Sequence, residues 1–135
     1  MNVRQIIRSA RLYGVSVVSV SGEIDIATAD AFRRALAAES AEECVVVSLL
    51  EVDYIDSSGL GVLIREHKVR QARGQQILVI LPVYPTSRVF EITQLNRVLA
   101  CFGDLVSAIQ AARGDARPPK AAAGGLRAVG NDASA

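Results

Sequence analysis

One histidine and two cysteines are all that this 135-residue sequence offers toward metal chemistry. A zinc site needs about four close nitrogen or sulfur ligands, so His67, Cys44 and Cys101 cannot assemble one. Each cysteine stands alone inside an apolar segment and reads as a packing residue without a disulfide, which suits a reducing compartment. Neither sign of charge prevails: 15 basic against 14 acidic residues leave +1. The concentrated positive field that a phosphate backbone requires is absent, and nucleic acid is not expected as a partner. Long hydrophobic runs are missing as well. The longest, such as residues 77–81, fall far short of the roughly 20 residues of a membrane span. Arg4, Arg8 and Arg11 are not followed by the apolar stretch of a signal peptide. A cytoplasmic protein without direct membrane insertion, and without a cofactor, is the expectation.

What is present is a composition of 50% hydrophobic and 21% charged residues, ordinary for one globular core. Residues 15–20, 44–49 and 77–81 are short aliphatic and β-branched runs and read as strands. Their continuous apolarity indicates a sheet covered on more than one side. Residues 3–7 read as an added strand that turns back through Tyr13 and Gly14. Between the strands the spacing becomes helical. Thr28 is placed to cap a helix bearing Phe32 and Leu36 and ending near Glu39. A second helix spans residues 57–73 and stops at Gly74, with Leu60, Leu63, Ile64 and His67 on its apolar side. Glu66 and Arg70, four apart, fall on its wet side. Pro85 suits the first turn of a third helix, residues 98–101 a short strand, and residues 103–112 a fourth helix. Such alternation predicts an α/β domain: a mixed, mostly parallel sheet with helices packed on it and an antiparallel hairpin at the N-terminus. The domain is expected over residues 1–112. Residues 113–135 turn to Ala, Gly, Pro, Arg and Ser, too poor in apolar surface to offset the entropy of ordering, and are expected to be a disordered tail.

The most informative stretch is Tyr54-Ile55-Asp56-Ser57-Ser58-Gly59-Leu60-Gly61-Val62-Leu63-Ile64, which leaves a strand and enters a helix. Ser57 or Ser58 can cap that helix, and the free N–H groups of a first turn accommodate an anion. Gly59 and Gly61 leave little side chain over it, so another surface can come close. Catalysis by the serine is a poor fit. The lone histidine lies ten residues further along the same helix, roughly 15 Å away at about 1.5 Å per residue, and Lys68 is as remote. Neither a Gly-x-Ser-x-Gly elbow nor a phosphate-binding glycine loop ending in Lys-Ser/Thr occurs. The protein is not expected to be an enzyme.

The Asp56-Ser57-Ser58-Gly59-Leu60-Gly61 run resembles the signature of the STAS domain, in particular that of bacterial anti-sigma factor antagonists. The likeness extends in order over residues 15–112. It takes in Ser21-Gly22-Glu23-Ile24-Asp25 with Thr28 and the Phe32 helix, the central strand up to Asp53, and the third helix over residues 85–95. The resemblance implies that Ser57, directly after the aspartate, accepts a phosphoryl group. It further implies a partner that is an anti-sigma factor with serine kinase activity, which gives up its sigma factor when the unmodified antagonist docks, and a serine phosphatase that resets the switch. The partner-binding residues expected on these grounds are Asp25, Thr28, Asp56, Ser57, Ser58, Gly59, Leu60 and Gly61. For Asp25 and Asp56 a local turn or a helix-start charge is the equal alternative, and Thr28 reads first as a cap. A STAS module serving as an accessory subunit of a membrane transport system, or as a nucleotide sensor, is the competing reading. Two positions depart from the family pattern. Gln94 replaces a frequent glycine, so that the third helix is expected to end differently, at Asn96. Ser48 stands where Asp or Asn is common.

Overall fold

The computed structural model describes residues 3–114. Five strands form one sheet in the order of the chain: β1 (Gln5–Leu12), β2 (Val15–Ile24), β3 (Cys44–Ile55), β4 (Gln76–Ile80) and β5 (Ala100–Phe102). The β1–β2 pair is antiparallel and every other pair is parallel. Helices α1 (Ala29–Ala37), α2 (Ser57–Ala72) and α3 (Thr86–Ile92) occupy the crossovers, and α4 (Leu105–Arg113) follows β5.

Alternation along the strands divides the core into two layers. Val18 and Val20 of β2, Val45 and Val47 of β3, and Ile77 and Val79 of β4 meet Phe32 and Leu36 of α1, Leu60 and Leu63 of α2, and Phe90 of α3. Their neighbours Val15, Val17, Val46, Leu78 and Ile80 face the opposite way, onto Ala108 and Ile109 of α4. The central strand is thus buried on both faces, which is why its sequence shows no polar alternation. Each fully buried aliphatic side chain contributes about 1.5–3 kcal/mol by its removal from water.

Several expectations need correction. The first strand is longer than residues 3–7 and lies further along the chain, because its backbone pairs with β2 from Gln5 to Leu12. Arg8, Ser9 and Arg11 hid it by breaking the apolar pattern, as befits an exposed edge strand. The last strand and the fourth helix begin two residues later than their spacing indicates; Asp104 caps α4, its Oδ1 accepting the Ser107 N–H at 2.7 Å. Arg113 is the final residue of α4, so the tail expected over 113–135 lies otherwise outside the described residues, except for Gly114. Pro85 precedes α3 rather than joining its first turn, and the helix ends at Ile92 instead of Asn96. Gln94 itself takes the left-handed conformation, φ 60°, that a glycine would otherwise supply.

The largest correction concerns Arg70. It is buried, not on the wet side of α2, with 1% of its surface exposed. Its Nε donates to the Gln76 carbonyl at 2.8 Å, Nη2 to the Glu42 carbonyl at 2.5 Å, and Nη1 to the Glu39 carbonyl at 3.4 Å and to Glu66 Oε2 at 3.2 Å. One guanidinium therefore ties the C-terminal part of α2 to the loop after α1 and to the start of β4.

Candidate functional site

At the carboxyl ends of β2 and β3 the chain enters α1 and α2, and a groove opens between the two helices. Ile26, Ala29, Asp30 and Arg33 line it from the α1 side, and Ser57, Ser58, Gly61, Val62 and Arg65 from α2. Residues 57, 61 and 65 are spaced at fours and so share one stripe of the helix. Gly61 is the bare step in that stripe: a Cβ added there would meet nothing within 4 Å.

Ser57 is the first residue of α2 and is exposed, whereas Ser58 is half-buried. Asp56, rather than either serine, caps the helix. Its Oδ1 accepts the backbone N–H of Ser58 at 2.8 Å and that of Gly59 at 3.4 Å. The capping carboxylate leaves both serine hydroxyls uncommitted to the helix end, and it also occupies two of the amide donors that an anion would use.

Gly59 and Leu60 turn inward, which corrects the expectation that the whole run 56–61 forms a contact surface. A Cβ on Gly59 would come within 2.6 Å of Ile24 Cγ2 and 2.7 Å of Ile55 Cγ1. Here glycine serves close packing of the helix against two strand ends. Leu60 is in the core with 8% of its surface exposed. Ser57 and Gly61 are the members of the run that are exposed.

Asp25 and Thr28 build the loop before α1. Asp25 Oδ1 accepts the N–H groups of Ala27 at 2.9 Å and Thr28 at 3.2 Å, and its other oxygen pairs with Arg4. Thr28 occupies the N-cap position, yet its hydroxyl makes no capping bond. It donates instead to the Glu23 carbonyl at 2.9 Å and accepts from the Asp25 N–H at 2.9 Å. Arg4 reaches across from ahead of β1 to Glu23 Oε1 at 2.8 Å, a close approach possible because Gly22, at φ 94°, has no Cβ to strike the Arg4 carbonyl. The loop so fixed presents Ile26 with 84% of its surface exposed. Sequence reasoning passed over Ile26. Its only signal was an aliphatic residue directly after the turn-forming Asp25.

The groove's charges come from two helices. Arg33 donates to Asp30 Oδ1 through Nη2 at 2.9 Å and Nε at 3.1 Å, while Arg34 Nε stands 3.3 Å from Asp30 Oδ2. The hydrogen bond from Arg33 holds the Asp30 carboxyl below its ordinary pKa. Arg65 has no hydrogen-bond or ion-pair partner among the described residues. His67 lies elsewhere, in a separate cleft with Gln71, Ile77 and Val98, and is not brought to Ser57. Ser48 is buried on the central strand. Cys44 and Cys101 are free thiols, and burial pushes them up to about 11 and about 12.

The STAS domain profile matches residues 7–108, from within β1 to the first half of α4. The chain belongs to the STAS family. This STAS domain is similar to the anti-sigma F factor antagonist of Paenibacillus polymyxa, with 30% identity over 99 residues that cover 71% of this chain and 85% of the relative. It is similar also to an anti-sigma-B factor antagonist of Listeria monocytogenes, with 34% identity over 84 residues, 61% of this chain and 74% of that one. Among solved structures, an anti-sigma factor antagonist from Mycobacterium paratuberculosis superposes with a TM-score of 0.70 at 31% identity, covering 81% of this chain and 94% of the other. No helix among the described residues is long and apolar enough to cross a membrane.

Proposed function

We propose that this STAS domain is an anti-sigma factor antagonist: it docks a kinase-type anti-sigma factor through the surface around Ser57, and phosphorylation of Ser57 ends the contact. The observation that carries the reading is the placement of Ser57 as an exposed hydroxyl on the first turn of α2, on the rim of the groove between α1 and α2. Three relatives named as antagonists of this kind support it. Ile26 supplies an exposed apolar side chain on the opposite rim, whose removal from water would favour docking. Asp25, Thr28 and Asp56 act one step back, holding the two turns that present Ile26 and Ser57.

The reaction takes its other components from the partner. Ser57 Oγ forms a bond to the γ-phosphorus of ATP held by the anti-sigma factor, the bridging bond to the β-phosphate breaks, and ADP leaves. The hydroxyl proton passes to a base of the kinase, because the adjacent Asp56 carboxylate is engaged by two backbone N–H groups. A serine phosphatase reverses the state by hydrolysing the phosphate ester with water. The added group carries about −1.5 to −2 charges at neutral pH. In the middle of a contact surface it must be desolvated or repelled, which weakens docking without any refolding.

The test is incubation of the protein with its cognate anti-sigma factor and ATP, followed by phosphopeptide mapping and binding measurements. Phosphate on Ser57, a binding-competent Ser57→Ala and a weakly binding Ser57→Asp are the expected results. Modification at Ser58 in place of Ser57, or full binding by Ser57→Asp, would overturn the assignment.

A further inference from the structure

We infer that the groove between α1 and α2 is a receiving site for the phosphate of phosphorylated Ser57, with Arg65 of α2 and Arg33 of α1 closing on it from either side. The inference rests on the reading of Ser57 as the phosphoacceptor. Its starting point is a shortage. Two of the amide donors of the first turn, those of Ser58 and Gly59, are taken by Asp56. A phosphate arriving beside them finds a carboxylate already in the place that a helix N-terminus would offer. Most of its countercharge must then come from side chains.

Two guanidinium groups line the same groove as Ser57. Arg65 lies two turns further along α2, about 12 Å along the axis at about 1.5 Å per residue. Long helical side chains lean back toward the helix N-terminus, and the residue between them on this stripe is Gly61, which leaves the path open. Arg65 also has no competing partner among the described residues. Arg33 is bound to Asp30, but Asp30 would keep Arg34, 3.3 Å away, if Arg33 swung toward the phosphate. Asp30, Arg33 and Arg65 sum to +1 before modification. Phosphate of about −1.5 to −2 charges reverses the sign of the groove and engages both cations in planar, charge-assisted hydrogen bonds. The surface that the partner meets is then changed in its charge and in the side chains it can offer.

The test places phosphoserine at position 57 of the full-length chain during translation and follows the phosphorus-31 resonance through a pH titration. The second ionisation, near 6 for a free phosphoserine, should fall by about one unit, a tenfold change in acidity, under the influence of the arginines. Arg65→Gln should return most of that shift and Arg65→Lys less of it, while Arg73→Gln, at the far end of α2, should leave it in place. An identical titration in the phosphorylated wild type and its Arg65→Gln variant would overturn the inference. Because no kinase is used, this outcome is separate from a failure of Ser57 to be modified by the partner.

Discussion

The Asp56 carboxylate accepts the backbone N–H of Ser58 at 2.8 Å, so the acidic residue of the motif closes the helix end and frees the serine hydroxyls beside it. Replacing Asp56 by Ala should lower stability by about 1 kcal/mol, the usual cost of a lost cap, whereas Asp56→Asn should retain most of it. Thermal denaturation followed by circular dichroism reads the difference as a drop of several degrees for Ala and a smaller one for Asn.

The two glycines of the motif should respond in opposite ways. Gly59→Ala forces a methyl group against Ile24 and Ile55 and should cost about 1–3 kcal/mol, as overpacking does. Gly61→Ala meets open space and should hold or raise the melting temperature, since alanine is the better helix former by up to about 1 kcal/mol. Equal losses at both positions would contradict the inward and outward assignments.

Arg70→Met removes the donors for three backbone carbonyls and the partner of Glu66 at once. A loss of about 3–5 kcal/mol is expected, as for breaking other buried charged contacts. Arg70→Lys should recover only part of it, because one ammonium cannot span the fork of a guanidinium. Urea titrations of the three proteins provide the comparison.

The thiols give a pH signature. Burial raises Cys44 to about 11 and Cys101 to about 12, above the roughly 8.5 of an unfolded cysteine. The folded state therefore holds its thiol protons longer. This contribution is complete below about pH 8.5 and is lost as pH climbs toward the folded values, because the unfolded chain ionises first. A disulfide reagent at pH 7.5 should label the native protein slowly and both cysteines promptly in urea.

Much of this was legible from residue pattern alone. The aliphatic runs of β2, β3 and β4 are continuous because the sheet is covered on both faces, and the helical spacing around Phe32 and Leu63 reports real burial. The Asp56–Gly61 run marked the turn where the exposed serine stands. Less legible were features decided by tertiary contact. Nothing local separates Arg70, enclosed by three carbonyls from two other segments, from a solvated arginine in an i,i+4 pair with Glu66. The edge strand β1 owes its existence to backbone pairing with β2, which Arg8 and Arg11 disguise. The direction in which each glycine points depends on the phase of α2 against the strand ends, and the alternation of Gly59 and Gly61 does not reveal it. The resemblance offered Asp25 as a docking contact, with a local turn as the equal alternative; its bonds to the Ala27 and Thr28 N–H groups and to Arg4 show the turn, which no local pattern separates from a contact.

Helix α2 is fastened at both extremities, by the Asp56 cap where the chain leaves β3 and by the Arg70 clamp in its last turn. A rod held at each end has little freedom left to surrender when something binds along its flank. Adjustment on association then falls to the incoming molecule, and the affinity of this face depends more on the shape and charge it already displays than on any rearrangement of its own.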